Sequence, residues 1–203
     1  VIAPGANTRS VAEHTMAMIL ACAKDMVHCD KELRKGNFNI RSTYKAYEIY
    51  GKTLGLVGYG HIGSILAEMA TAMGMKVIVY DPFLKKEVVE AKGYKYETDL
   101  DKVVKEADVI SVHSPLTPQT RGMIGEKQFA LMKPNAIVVN CARGGIVDEK
   151  ALAKALAENR IHSAGADVFA TEPVTAAEPL FQYDNMIVSP HMAGQTREAA
   201  SGV

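Results

Sequence analysis

From Lys52 onward, short runs rich in Val and Ile alternate with longer amphipathic stretches. The apolar runs are Leu54 to Val57, Val77 to Tyr80, Val109 to Val112, Ile137 to Val139, Gly165 to Val168 and Met186 to Val188. Between them, helical spacing recurs over Ile62 to Met73, Leu100 to Ala107, Glu126 to Met132 and Asp148 to Asn159. Strands apolar on both faces and separated by helices predict a parallel sheet covered on two sides. Six such strands predict an α/β, doubly wound sheet of the Rossmann type over residues 52–203. Residues 1–51 differ in texture. Val11, Met16, Ile19, Leu20 and Val27 recur at helical spacing from Thr8 to Lys35. Asn7, Thr8 or Ser10 is available as a cap and Gly36 as a stop, which predicts one long helix. An arm carrying Tyr44, Tyr47 and Tyr50 follows it.

The first predicted strand runs into Gly58-Tyr59-Gly60-His61-Ile62-Gly63 just where a helix is expected to open. Alone, a glycine pattern of this kind is weak; between a strand and a helix it has a mechanism. Gly58 permits the tight turn, Gly60 lets the backbone approach a pyrophosphate, and Gly63 lets the helix pack on the strand. The helix N-terminus then presents N–H groups and a positive dipole end to phosphate. Asp81 ends the second run, 18 residues after Gly63. A carboxylate there accepts from ribose hydroxyls and repels a 2′-phosphate, so the expected cofactor is NAD rather than NADP. The other predicted strand ends also carry polar groups: His113-Ser114-Pro115 with Thr120, Asn140-Cys141-Ala142-Arg143-Gly144-Gly145, Asp167, and Ser189-Pro190-His191. Ligands bind outside the carboxyl ends of such strands, so this clustering marks a site.

Charge narrows the partners. Lys plus Arg and Asp plus Glu number 23 each, so no broad field draws nucleic acid or an anionic membrane. No apolar run approaches the roughly 20 residues that span a bilayer. Cys22, Cys29 and Cys141 form neither a disulfide framework nor a zinc knuckle, and His28-Cys29 lacks metal-ligand spacing, so no metal is expected. Reduced thiols suit a cytoplasmic protein. The chain begins at Val1, so the natural N-terminus is expected to have been removed.

Taken together, these segments resemble the D-isomer-specific 2-hydroxyacid dehydrogenases. The likeness runs from Val11-Ala12-Glu13-His14 to His191-Met192-Ala193-Gly194. It is carried by the glycine motif with Asp81, His113-Ser114-Pro115-Leu116-Thr117 with Thr120, Asn140 to Gly145, and Asp167-Val168-Phe169 with Glu172-Pro173 and Ser189-Pro190-His191. The resemblance implies a catalytic set of Arg143, Glu172 and His191. It also implies a cofactor groove of Gly58, Gly60, His61, Ile62, Gly63, Asp81, Ser114, Pro115, Thr120, Cys141, Ala142, Arg143, Asp167, His191 and Gly194. Gln195 departs from the small residue usual in the family. The resemblance further implies that residues 1–51 are a linker helix and dimerisation arm, and that the substrate domain lies outside this chain.

Chemically the three residues suit reduction of a 2-oxo acid. The Arg143 fork can clamp carboxylate and keto oxygens together. His191 is of the type that donates a proton to a developing alkoxide near neutral pH, and Glu172 would orient it. Asp167 is expected to accept from the nicotinamide carboxamide. His113, just inside a strand end, is assigned mainly to structure, and Cys141 to the groove wall rather than to a nucleophile. The resemblance implies a small D-2-hydroxy acid as substrate, and the family's best-known member suggests 3-phosphoglycerate. Related formate dehydrogenases pair the catalytic His with Gln, whereas Glu172 stands here. An NAD-sensing corepressor on the same scaffold is the alternative from a different class. Finally, the helix and arm carry more apolar surface than one stripe, with Met16, Met18, Ile19, Leu20, Cys22, Met26, Val27, Phe38, Ile40, Ile49 and the three tyrosines. That predicts a homodimer.

Overall fold

A computed structural model describes residues 7–43 and 45–201. Seven strands form one parallel sheet: β1 Thr53–Val57, β2 Lys76–Tyr80, β3 Lys95–Tyr96, β4 Val109–Val112, β5 Ile137–Asn140, β6 Ser163–Ala166 and β7 Met186–Val188. Their order is β3-β2-β1-β4-β5-β6-β7. The helices are α1 Thr8–Ala23, α2 Met26–Arg34, α3 His61–Ala72, α4 Lys86–Glu90, α5 Leu100–Glu106, α6 Glu126–Leu131, α7 Glu149–Ala157 and α8 Arg197–Ser201. This is the doubly wound architecture expected from the strand pattern, with a short seventh strand added. Lys95 and Tyr96 pair with Ile78 and Val79 at the sheet edge. A two-residue polar edge strand has no apolar run to betray it.

Alternation within the strands sorts the core into two layers. Leu54, Leu56, Val77, Val79, Val109, Ile137 and Val139 pack with α1 and α3 on one face. Ile110, Val112 and Val138 pack with Phe129, Leu152 and Leu156 on the other. Each such side chain, once fully buried, contributes about 1.5–3 kcal/mol relative to exposure. Asp99 caps α5 through Asp101 N, and Asp148 caps α7 through Lys150 N and Ala151 N. These caps satisfy N–H groups that the helices cannot pair internally.

Three expectations need correction. First, the helix from Thr8 to Lys35 is two helices. Asp25 adopts a left-handed conformation (φ 51°), which Asp tolerates better than most residues, and Asp25 N turns back to Cys22 O. The Ala23 carbonyl accepts instead from Tyr47 N in the arm. Second, Met16, Met18, Ile19 and Cys22 are buried in the domain's own core, whereas α2 buries nothing. Thus α1 forms part of the sheet's packing, and the division at residue 51 does not separate it from the core. Third, the strand expected at Gly165 to Val168 lies at Ser163–Ala166. Small residues suit it because Met18 lies against Gly165, where an added Cβ would stand 3.2 Å from the Met18 sulfur. The remaining shifts are of one or two residues at element ends. Tyr44, one of the expected arm residues, lies outside the described residues.

Candidate active site

β1 lies between β2 and β4, so the winding reverses there and leaves a crevice beyond the strand ends. Gly58 follows β1 with φ +100°, and its N–H donates to Tyr80 O. A Cβ at Gly58 would stand 2.8 Å from the His113 carbonyl carbon, so a side chain is barred by both conformation and space. Gly60 precedes α3, and nothing lies within 4 Å of where its Cβ would be. The α3 ladder begins with Ser64 N donating to Gly60 O. The first-turn N–H groups before it remain available to an anion, and the first turn holds no acidic residue. Asp81 lies alongside. Its Oδ2 accepts from Tyr59 N at 2.9 Å and its Oδ1 from Phe83 N at 3.0 Å. The carboxylate is therefore fixed beside the turn, and the open space at Gly60 fits a dinucleotide pyrophosphate.

A cleft of about 530 Å³ continues from Ile62. His113, Ser114, Pro115, Cys141, Ala142, Arg143, Asp167, His191 and Gly194 line it, so residues from four strand ends meet as expected. Asn140 shapes the turn that presents Arg143, accepting from Ala142 N and donating to Arg143 O. Arg143 is exposed, with Nη1 donating to Ala142 O at 2.7 Å. Gly144 must be glycine because a Cβ there would overlap the Phe169 carbonyl. That close approach sets the Arg143 turn against the loop that carries Glu172. Glu172 Oε1 accepts from Phe169 N at 2.9 Å, and Oε2 lies 2.7 Å from His191 Nδ1. Burial pushes the Glu172 carboxyl up, but the hydrogen bonds from His191 and Phe169 outweigh it and hold the group below its ordinary range. With Nδ1 engaged, His191 keeps Nε2 for a second partner.

Other expected residues take different places. Thr120 is not on the cleft wall; its Oγ1 donates to Pro115 O at 2.7 Å and accepts from Thr117 N at 2.8 Å, which ties the loop after β4. Asp167 lines the cleft, yet most of its capacity is already spent. Its oxygens accept from Ser189 Oγ, Met192 N and Ala193 N, three of the roughly four acceptor sites of a carboxylate. Burial pushes the Cys141 thiol up to about 12, which suits a wall rather than a nucleophile. The same effect lowers His113 to about 4, and its Nε2 lies 2.8 Å from Ser111 Oγ. Asn7, Val11 and Gln195 also line the cleft and were not among the expected site residues. Asn7 carried a signal that was read as a helix cap. It stands at that position but makes no cap bond, and its side chain lies against Gly194. Among the described residues no cluster of His, Cys, Asp or Glu is arranged to hold a metal. A larger cavity, about 670 Å³, opens near His28, His162 and Asp184 and contains none of the expected residues.

Residues 16–193 match the family described as D-isomer specific 2-hydroxyacid dehydrogenase, NAD binding domain. The chain belongs to this family. Among relatives of this NAD-binding domain, the D-3-phosphoglycerate dehydrogenase of Methanocaldococcus jannaschii is 48% identical over 97% of the chain and 37% of its own length. The glyoxylate reductase of Korarchaeum cryptofilum is 39% identical over 98% of the chain and 60% of its own length. The crystal structure of D-lactate dehydrogenase from Aquifex aeolicus, complexed with NAD and lactic acid, superposes with a TM-score of 0.88 at 37% identity. That match covers 98% of this chain and 64% of the other. The chain thus spans between about a third and two thirds of the proteins it resembles.

Proposed function

We propose that the protein containing this domain transfers a hydride between NAD and a small D-2-hydroxy acid or its 2-oxo counterpart. The observation that carries this reading is the His191–Glu172 pair at 2.7 Å, with His191 on the wall of a cleft that also holds Arg143. NAD, when bound, supplies or accepts the hydride. His191 Nε2 donates a proton to the nascent alkoxide in reduction and takes one from the alcohol in oxidation. Glu172 holds the imidazole through Nδ1 and stabilises its protonated form. Arg143 binds the substrate carboxylate, and the first turn of α3 with Asp81 holds the pyrophosphate and ribose. The relative at 48% identity makes 3-phosphoglycerate the leading substrate. The named relatives are dehydrogenases and reductases, so no observation favours a corepressor.

Two further readings follow. Met26, Val27, Leu33 and Phe38 are exposed on α2 and on the 3-10 turn after it, and a second copy of this surface would cover them in a homodimer. Three free cysteines fit a cytoplasmic setting, and no helix among the described residues is long and apolar enough to cross a membrane.

The test is a pair of variants in the full-length protein. His191→Ala should lower kcat for 2-oxo acid reduction by about 10²–10⁴. Glu172→Gln should cost less and move the alkaline limb of the reduction profile to lower pH, because an amide no longer favours the protonated imidazole. Wild-type kcat in the first variant, or a wild-type profile in the second, would overturn the assignment.

A further inference from the structure

Helix α1 is tied to the catalytic loop by side chains that the proposed chemistry leaves idle. His14 Nε2 stands 2.9 Å from Ser189 Oγ, and Ser189 Oγ stands 2.5 Å from Asp167 Oδ1. The same carboxylate accepts from Met192 N at 2.9 Å and Ala193 N at 2.8 Å. Ser10 Oγ donates to the Ala193 carbonyl at 2.5 Å. His191 therefore sits in a five-residue segment anchored before it at Ser189 and after it at Met192 and Ala193. Its own φ of +53° is a conformation uncommon in residues other than glycine.

The proton inventory sets the direction of this chain. Asp167 is wholly buried, and two backbone N–H groups converge on its two oxygens, so it acts as an acceptor. Ser189 has one hydroxyl proton, which goes to Asp167. Its oxygen must then accept from His14, so His14 Nε2 carries a proton. His14 Nε2 also lies 3.7 Å from Asp167 Oδ1, and among the described residues it is the basic side chain within ion-pair reach of that carboxylate. A buried carboxylate without such donors would be costly, and the loop it organises would lose its anchor.

We propose that His14 is a positioning residue for the proton donor. It holds the 189–193 loop, and with it His191 against Glu172, by acting through Ser189 and Asp167. This rests on the reading of His191 as the acid–base group. Because α1 packs on β5, β6 and β7, the anchor is part of the rigid core rather than of the loop itself.

The experiment compares His14→Leu, which removes the N–H, with His14→Gln, which keeps a donor on the same helix position, in the full-length enzyme. The readouts are kcat, KM for the 2-oxo acid, the Kd of NADH and the pH profile of reduction. His14→Leu should lower kcat by about 10- to 100-fold, the scale of a misplaced catalytic group. KM and Kd should stay within about 2-fold, because Arg143 and the glycine turn hold the ligands. The alkaline limb should move to lower pH as in Glu172→Gln, and His14→Gln should recover most of kcat. Wild-type kcat in His14→Leu, an unshifted pH profile, or equal losses in both variants would overturn the proposal. Should His14→Leu fail to fold, Ser189→Ala breaks the same chain from the loop side; the same kcat loss and pH shift are expected, and normal turnover there is equally fatal. If His191→Ala retains wild-type kcat, the acid–base reading fails before this one is reached.

Discussion

His113→Gln should flatten the acid side of the protein's stability curve. The imidazole lies beneath the Gly58 turn, and its Nδ1 is buried without a hydrogen-bond partner. Burial lowers His113 from 6.5 to about 4. Between those values the unfolded chain binds a proton that the folded chain refuses. The stabilisation is thus present above about pH 6.5 and is lost as pH falls toward about 4. A gap of about 2.5 corresponds to at most about 3.4 kcal/mol, at about 1.36 kcal/mol per pKa unit. Part of the residue's surface stays open to the cleft, so about 2 kcal/mol between about pH 7 and pH 4.5 is the expected size. Urea unfolding of both proteins across that range supplies the test. Other titrations occur in both and cancel in the difference, so the wild type should lose about 2 kcal/mol more than the variant. Parallel curves would show that His113 gains its proton in the folded state as easily as in the unfolded one.

The remaining expectations concern the site and the exposed arm. Asp81→Ala should weaken NAD binding and narrow the gap to NADP, because it deletes both the ribose acceptor and the charge that repels a 2′-phosphate; titration with both cofactors checks this, and an unchanged ratio would remove Asp81 as the selector. Arg143→Lys should raise KM for the 2-oxo acid about 10-fold or more, since an ammonium cannot reproduce the bidentate fork; a near-normal KM in steady-state kinetics would take Arg143 out of the substrate site. Sedimentation at micromolar concentration should find this chain as a dimer, and Phe38→Glu should shift it toward the 21.9 kDa monomer; a wild type already at that mass would refute the interface.

Six of the seven strands, helices α3, α5, α6 and α7, and the dinucleotide turn were legible in the sequence because their signals are local. Val and Ile runs mark strands buried on both faces, and Gly58 and Gly63 mark a turn whose geometry excludes side chains, with Gly60 left open beside it. The strand ends were legible too, since polar residues at the close of apolar runs have few places to go in a parallel sheet. What local pattern could not contain was pairing across distance. Nothing in the row of letters distinguishes an α1 that faces a partner from one that covers β5, β6 and β7, because both need the same apolar stripe. The break at Asp25 was hidden for a similar reason: the Ala23 carbonyl accepts from Tyr47 N, 24 residues away. Asp167 shows the limit most clearly. At a strand end it read as a ligand for the cofactor, and it does line the cleft, but no letter of the sequence showed that its oxygens also hold Ser189, Met192 and Ala193, with His14 from α1 closing the network. Hydrogen-bond capacity is finite, and how a buried carboxylate spends it is decided only when the chain has folded.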